Sequence, residues 1–260
     1  MVMVLFLLSV EPAPVLRALA YGKSSFPVRL LDGTQETSTA REPLDWLFYV
    51  VETGSARVLV DAGMQEQADA NGFNLSRFTP TSGVLEHEHI DPSTVTHVIL
   101  THAHVDHAGG AHLFKNAAIV LQQAEWPAFQ RSRPFLQHEA FYKQAGRMLL
   151  VEGDAVIVPG VSVTLAGGHT RGSQAVLAGD DVIVGDECYT QARCANATPL
   201  PRGAVVDAAA NKRFLRRVQG WLKEGRRVLT LHEQPAPSTS TAPSLPLQTG
   251  ESAARPSSSP

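Results

Sequence analysis

Cysteine is scarce in this chain of 260 residues, where only Cys188 and Cys194 occur. Two cysteines six positions apart do not form the disulfide network that stabilises small secreted proteins. We therefore expect Cys188 to be a small buried residue. The low cysteine content fits a reduced, cytoplasmic setting, with secretion left open.

The chain also lacks an excess of positive charge and a long apolar run. It has 22 basic and 25 acidic side chains, for a net charge of −3, so no broad basic field attracts nucleic acid. The apolar run at residues 2–10 is too short to span a bilayer. No positive residues precede it, so we interpret it as an entry strand in preference to a secretion signal, although residues 18–20 resemble a signal-peptidase site. We expect neither a nucleic-acid partner nor a membrane partner.

Large apolar residues are almost absent from residues 235–260, which are rich in Pro, Ser, Thr and Ala. Such a segment cannot bury enough surface to offset the entropy lost on ordering, so we predict a disordered tail. Residues 1–234 are long enough to bury one substantial core and are predicted to form a single catalytic domain.

Histidine, in contrast, is abundant, with ten residues in the chain. Residues 101–110 read Thr-His-Ala-His-Val-Asp-His-Ala-Gly-Gly and follow a short β-branched run typical of a buried strand. Zinc binds imidazole nitrogen and carboxylate oxygen, so one pair of these side chains can face one ion while a second pair faces another. The four candidate ligands are His102, His104, Asp106 and His107.

Three further candidate ligands, His169, Asp186 and His232, each follow a run of β-type residues. These runs are residues 155–165, 182–185 and 228–231. Ligands at strand ends sit on the rigid scaffold that a preorganised metal site needs. We therefore expect all seven side chains to converge on two metal ions.

The remaining periodicity predicts a mixture of α and β structure. Strand-like runs occupy residues 46–51 and 118–121, and helical character at 124–147 is interrupted near Pro134. Residues 211–224 predict an amphipathic helix with one apolar stripe and one basic face.

On these motifs the chain resembles the metallo-β-lactamase fold superfamily over roughly residues 16–233. Within it the chain is most similar to the N-acyl-homoserine lactone lactonases. The HxHxDH motif is that of the superfamily, and residues 58–64 resemble its early strand and turn, where Asp61 braces the metal loop. In the lactonases a tyrosine that contacts the substrate carbonyl follows the bridging aspartate by three residues, as Tyr189 follows Asp186. The implied fold is an αββα sandwich of two mixed β-sheets flanked by helices.

The resemblance also implies a dinuclear site with two Zn²⁺ per chain, or other divalent transition metals. His102, His104 and His169 would hold one ion, Asp106, His107 and His232 the other, and Asp186 would bridge both. A metal-bridging hydroxide would attack the carbonyl of a small-molecule lactone, with the Tyr189 hydroxyl as a further donor. Asp106 or a water would protonate the leaving alkoxide. The oligomeric state stays open, with a dimer as one option.

Several positions depart from the lactonase pattern. Gly167, Arg171 and Ser173 replace two prolines and a histidine around the third ligand, and Val105 stands where an aromatic residue often lines the acyl pocket. Other functions therefore stay open on the same scaffold: a glyoxalase II-like thioesterase, a β-lactamase or a phosphodiesterase. A non-haem iron oxidoreductase is a further alternative.

Overall fold

A computed structural model describes residues 12–54 and 56–236. The apolar run at 2–10 lies outside the described residues, as does the predicted tail from residue 237 onward. The strands are β1 Val15–Pro27, β2 Arg41–Glu52, β3 Arg57–Val60, β4 His97–Ile99, β5 Ala118–Gln122, β6 Met148–Val151, β7 Ala155–Val158, β8 Val161–Leu165, β9 Gln174–Ala178, β10 Asp181–Ile183 and β11 Arg227–Leu229.

Helices occupy most of the connections between these strands. The α-helices are α1 Gln67–Gly72, α2 Thr81–His87, α3 Val105–Ala108, α4 Trp126–Phe129, α5 Arg133–Gln137, α6 Glu139–Tyr142, α7 Gln191–Ala195 and α8 Ala208–Lys223. Short 3₁₀ turns lie at Val28–Leu30, Pro92–Thr94, Ala111–Leu113, Gly185–Glu187 and Arg202–Ala204.

The strands form two mixed sheets. The first has the order β1-β2-β3-β4-β5-β6 and the second the order β11-β10-β9-β8-β7. In the first sheet β3, β4, β5 and β6 run parallel to one another, and β1 and β2 are antiparallel additions. In the second sheet β10 and β11 are parallel and the other neighbours are antiparallel.

Side chains along a strand point alternately to the two faces of its sheet, and this separates the core between the two sheets from the core outside the first sheet. In β2, Leu47 and Tyr49 face the second sheet, where they meet residues such as Val163 and Val176. The intervening Phe48 and Val50 belong to a separate core on the outer face of the first sheet. This period of two is what places apolar residues on both faces of a sheet that is covered on both sides.

Helices cover the outer face of each sheet. Phe129, Phe135 and Tyr142 from α4, α5 and α6 pack in the core of the first sheet. Phe214 and Val218 of α8 pack in the outer core of the second sheet. The four-layer αββα sandwich expected from the resemblance is therefore confirmed.

Three segments differ from the expectation in detail. The helical stretch predicted at 124–147 is interrupted near Pro134, as expected, but it is divided into three helices, α4, α5 and α6. Helix α5 begins at Arg133, with Pro134 in its first turn behind the N-cap Ser132. The β-rich run at 155–165 is a hairpin, β7 and β8, that turns at Gly160 with a φ of +81°. The amphipathic helix is present and begins three residues earlier than predicted, behind the N-cap Asp207.

Cys188 is buried, as expected, but the cysteine count did not predict that it pairs with Cys194. Cys188 and Cys194 are joined, with their Cα atoms 5.3 Å apart. The bridge joins the segment after β10 to the end of α7, so the close approach depends on local turn geometry that the spacing of six alone does not reveal. No helix among residues 12–54 and 56–236 has the length and apolarity that crossing a bilayer requires.

Candidate metal centre

The seven predicted ligands lie together at one edge of the sandwich. Four of them follow β4, and the others follow β8, β10 and β11. Because β3 and β4 run parallel in one sheet and β10 and β11 run parallel in the other, their carboxyl ends bring loops from both sheets to the same place. The ligand atoms fall into two clusters, His102, His104 and His169 in one, and Asp106, His107, Asp186 and His232 in the other.

In the first cluster three ring nitrogens converge. His104 Nδ1 lies 2.9 Å from His102 Nε2 and 3.1 Å from His169 Nε2. Nitrogens that bind one tetrahedral zinc at ~2.0–2.1 Å are about 3.3 Å apart, so these separations are close to those of a ligand triad.

The second cluster is centred on Asp186. Its Oδ1 lies 3.4 Å from His107 Nε2 and 3.2 Å from His232 Nε2, and Asp106 Oδ2 lies 3.0 Å from His107 Nε2. Asp186 Oδ2 lies 3.8 Å from Nε2 of His169 in the first cluster. One carboxylate thus faces both clusters, which is the arrangement of a bridging ligand.

Hydrogen bonds outside the clusters orient the rings of His102, His107 and His169 and leave one nitrogen of each available. His107 Nδ1 donates to Asp61 Oδ2 at 2.7 Å, and His169 Nδ1 donates to the backbone oxygen of Ala204 at 2.7 Å. His102 Nδ1 lies 3.1 Å from Thr101 Oγ1, which itself donates to Asp61 Oδ2. Fixing the outer nitrogen of an imidazole in this way orients the inner one toward a metal.

Asp61, which accepts these hydrogen bonds from His107 and Thr101, has an uncommon left-handed backbone conformation with a φ of +60°. The residue follows β3 and is fully buried. Its carboxylate also accepts the backbone N–H of Thr101 at 2.6 Å, directly before the histidine motif. Left-handed backbone at a residue other than glycine persists where surrounding contacts enforce it, and here those contacts are with the metal loop.

Two buried polar atoms fit a cation better than a protein partner. Within residues 12–54 and 56–236, His107 Nε2 and Asp186 Oδ1 make no hydrogen bond of acceptable geometry, although both are buried at the centre of the second cluster. Buried polar atoms are almost always hydrogen-bonded, so two such atoms without a partner that face the same point indicate a bound cation between them. The nitrogen and carboxylate donor set suits zinc and its neighbours among the transition metals.

In the second cluster the carboxylates and the histidines stabilise each other's charged forms. Burial raises the pKa of Asp186, but the charges of His107 and His232 outweigh it and hold the pKa well below its usual range. Burial works against the charged form of His107, yet Asp106, Asp186 and Asp61 raise its pKa well above the ordinary value. In the first cluster burial and the neighbouring histidines lower the pKa of His102, so its ring is a neutral ligand.

A cavity of about 670 Å³ opens onto both clusters. His104, Asp106, His169, Asp186 and His232 lie at its base. Much of its wall is apolar, formed by Phe26, Leu30, Leu31, Leu44, Trp46, Phe73 and Val105, with Arg29, Glu36 and Arg202 also in the lining.

Tyr189 lines this cavity beside one histidine of each cluster. Its ring centroid is 6.4 Å from that of His169 and 5.6 Å from that of His232. Burial, and then the charge of Asp186, raise the pKa of the Tyr189 hydroxyl well above its ordinary value, so it is a hydrogen-bond donor at neutral pH. The structure thus brings every predicted site residue to one place.

Sequence reasoning missed two buried acids beside the clusters, Glu125 and Glu187. Glu187 directly follows Asp186, and Glu125 comes three residues after β5. No local sequence pattern distinguishes either of them from an ordinary polar residue after a strand.

The sequence profile of the metallo-beta-lactamase superfamily matches residues 47–190. An N-acyl homoserine lactonase from Bacillus sp. is 32% identical to this chain over 189 residues, which cover 63% of this chain and 73% of the relative. A solved structure of a quorum-quenching N-acyl homoserine lactone lactonase superposes with a TM-score of 0.69 and 22% identity, covering 84% of this chain and 91% of its own.

A second solved structure is that of an N-acyl homoserine lactone hydrolase with the product N-hexanoyl-L-homoserine bound at its catalytic metal center. It superposes with a TM-score of 0.68 and 22% identity, covering 84% of this chain and 92% of its own. At these identities the likeness of the structures establishes the fold alone.

Proposed function

Because this chain belongs to the metallo-beta-lactamase superfamily and is a metal-dependent hydrolase, we propose that it opens the ring of N-acyl homoserine lactones. The observation that carries the proposal is the position of Tyr189, whose ring lies beside one histidine of each cluster and lines the largely apolar cavity onto which both clusters open. The carbonyl of an acylated lactone would lie at the ligand clusters, and its acyl chain would lie along the apolar wall of the cavity.

We propose that each cluster holds one Zn²⁺. His102, His104 and His169 would hold the first, and Asp106, His107 and His232 the second, with Asp186 shared between them. When bound, paired divalent cations lower the pKa of a coordinated water toward ~7 and polarise a carbonyl oxygen.

The protein's own groups then act on the substrate. The Tyr189 hydroxyl is protonated and lies beside His169 and His232, so it donates a hydrogen bond to the oxygen on which negative charge develops. Burial raises the pKa of the Asp106 carboxyl, but the charge of His107 and the hydrogen bond with it lower the pKa below its ordinary value. The Asp106 carboxylate, or a water, would carry the proton released when the attacking hydroxide forms to the ring oxygen as that oxygen leaves.

The cavity wall supports an acyl substituent. Phe26, Leu44, Trp46 and Phe73 offer apolar surface above the clusters. Trp46 is held by a hydrogen bond from Nε1 to Ser24 Oγ at 2.8 Å, and its ring meets the His232 ring edge-on at 4.7 Å between centroids. Each methylene buried on this wall contributes about 0.8 kcal/mol to binding, so longer acyl chains bind more tightly until the wall is covered.

The proposal is tested by measuring ring opening of N-acyl homoserine lactones of several chain lengths beside a thioester, a β-lactam and a phosphodiester. Metal analysis is carried out on the same sample. We expect kcat/KM to be highest for the acylated lactones. A higher kcat/KM for the thioester, the β-lactam or the phosphodiester would reassign the site to that chemistry.

The cytoplasmic setting predicted from the sequence depended on two reduced thiols. Disulfides persist mainly in oxidising compartments, so the Cys188–Cys194 bridge weighs against that setting and toward secretion. Cell fractionation combined with alkylation of free thiols distinguishes the two settings. A cytoplasmic protein should carry two alkylated cysteines, and a secreted one should carry none.

A further inference from the structure

Two buried carboxylates beside the site have no part in the function proposed above. Glu125 is 1% exposed and Glu187 is fully buried. Neither belongs to a ligand cluster, and neither lines the cavity. All the hydrogen bonds that they accept come from neutral donors.

Glu187 is hydrogen-bonded to the loop that carries His169. Its Oε1 accepts the backbone N–H groups of Gly168 and His169 at 3.0 and 2.8 Å, and the Ser173 hydroxyl at 2.6 Å. Its Oε2 accepts from Asn211 Nδ2 on α8 at 2.7 Å. Since Glu187 is the next residue after Asp186, one side chain ties the shared ligand of the two clusters to the third histidine.

Glu125 ties the same loop to the histidine motif. Its Oε1 accepts the backbone N–H of Ala103, between His102 and His104, at 3.1 Å. Its Oε2 accepts the Thr170 hydroxyl at 2.7 Å and the Gly172 N–H at 2.8 Å. The two loops that supply the three converging nitrogens are therefore joined through one carboxylate.

Close packing around the two acids explains the glycines on either side of His169. A Cβ at Gly168 would overlap Glu187 Oε2 and the backbone of Asn211, and a Cβ at Gly172 would overlap the backbone of Glu125. The loop thus lies directly against both carboxylates, and glycine permits this approach.

We propose that Glu125 and Glu187 are positioning residues that hold the His169 loop in register with the other ligands and increase the affinity of the site for divalent cations. Burying a carboxylate without an opposite charge is unfavourable, and a bound cation would supply that charge. Groups that orient metal ligands commonly change metal affinity by ~10–100-fold when they are removed. This inference rests on the metal site of the proposed function.

The test is a measurement of Zn²⁺ affinity on the full-length protein, by competition with a chromophoric chelator. Glu125→Gln and Glu187→Gln keep the size of the side chain but replace one acceptor oxygen with a donor. Each should weaken Zn²⁺ binding by ~10–100-fold. Unfolding of the chelator-treated protein is measured in parallel, so that a general loss of stability is separated from a loss of cation affinity.

Asp181→Asn is the matched control. Asp181 is a largely buried carboxylate that pairs with Arg227 at 2.6 Å, between β10 and β11 and away from the ligand loops. This variant should lose stability without losing Zn²⁺ affinity.

Two milder variants keep the test decisive if a glutamine variant does not fold. Thr170→Val removes one donor to Glu125, and Ser173→Ala removes one donor to Glu187. Each should weaken Zn²⁺ binding by less than the corresponding glutamine variant.

Zn²⁺ affinity equal to that of the unsubstituted protein in all the folded variants would overturn the positioning role. If the unsubstituted protein itself bound no Zn²⁺, the proposed function would fail instead, so the two failures are distinct.

Discussion

His107 and Asp61 form a buried hydrogen bond of 2.7 Å between Nδ1 and Oδ2. The bond keeps a proton on Nδ1 and turns Nε2 toward Asp106 and Asp186. Because Asp61 also accepts from Thr101, one carboxylate sets both the ring and the start of the histidine motif.

Asp61→Asn should therefore weaken metal binding at the second cluster. In Asp61, Oδ2 accepts from His107 Nδ1 and the Thr101 hydroxyl, and Oδ1 accepts from the Thr101 N–H. The NH₂ group of an asparagine would therefore face a donor in either position, and one of these hydrogen bonds would be lost. We expect ~10–100-fold weaker binding of one of the two cations, measured as metal retained after dialysis against a weak chelator. Asp154→Asn, which changes a surface carboxylate paired with Arg217, is the control and should retain the metal. Full retention in the Asp61 variant would contradict the bracing role.

Tyr189→Phe should slow ring opening while leaving metal content unchanged. The hydroxyl stabilises charge on the reacting oxygen, and loss of one such donor costs up to about 10²-fold in kcat. Tyr142→Phe is a matched control. The Tyr142 ring packs on Phe129 and Phe135, and its buried hydroxyl has no hydrogen-bond partner among the described residues. Equal kcat values for the two variants would remove Tyr189 from the reaction.

Phe26→Ala should discriminate between substrates by acyl length. Phe26 lines the cavity and packs on Trp46, with 6.2 Å between ring centroids. Loss of its ring exposes methylenes of a long chain, each worth about 0.8 kcal/mol, but leaves a short chain unaffected. The expected result is a raised KM for long-chain lactones with an unchanged kcat for the shortest one. A uniform change across the series would show that the acyl chain lies elsewhere.

The Cys188–Cys194 bridge should be measurable as an absence of free thiol. Unfolding without reductant should expose no titratable thiol, and reduction should release two per chain. Replacing both cysteines with serine removes the cross-link of a short loop, which in the loop-entropy account costs about 2 kcal/mol in the free energy of unfolding. Two free thiols in the unreduced protein would contradict the bridge.

His112 should make the protein less stable as the pH falls. Burial, followed by the charges of His138 and Lys115, lowers its pKa from the ordinary value of 6.5 to about 4. The unfolded chain therefore binds a proton between these pH values that the folded chain does not, so stability falls as the pH drops through this window.

Denaturation of chelator-treated protein at pH 7 and pH 5 measures this effect. His112→Asn should reduce the loss of stability by roughly 1 kcal/mol, once screening by solvent is allowed for. His87→Asn, at a side chain that is 85% exposed, is the control. If the free energy of unfolding falls between pH 7 and pH 5 by the same amount in the His112 variant as in the unsubstituted protein, His112 does not contribute to the pH dependence.

The ligands were predictable from the sequence because their signals are local. The histidine motif directly follows β4, and Asp186 and His232 follow short apolar runs that became β10 and β11. A strand followed at once by a polar ligand is a pattern that a few adjacent residues specify. The role of Asp61, in contrast, was expected only from the resemblance of residues 58–64 to the superfamily.

The rest depended on contacts between distant segments. Strand β1 was not predicted because Gly22, Lys23 and two serines interrupt its apolar pattern, and its pairing with β2 stabilises it. Glu125 and Glu187 gain their partners from loops that meet only after both sheets form. No local pattern marks a carboxylate whose partners are backbone groups from another loop.

The count of transition-metal ions per chain tests the central claim most directly, because both clusters, the shared Asp186 and the proposed hydrolysis require two. Elemental analysis of protein purified without chelators, and again after reconstitution with Zn²⁺, should find two ions per chain. Asp186→Ala should lose metal and ring opening together. No more than one ion per chain, with no gain on reconstitution, would contradict the account.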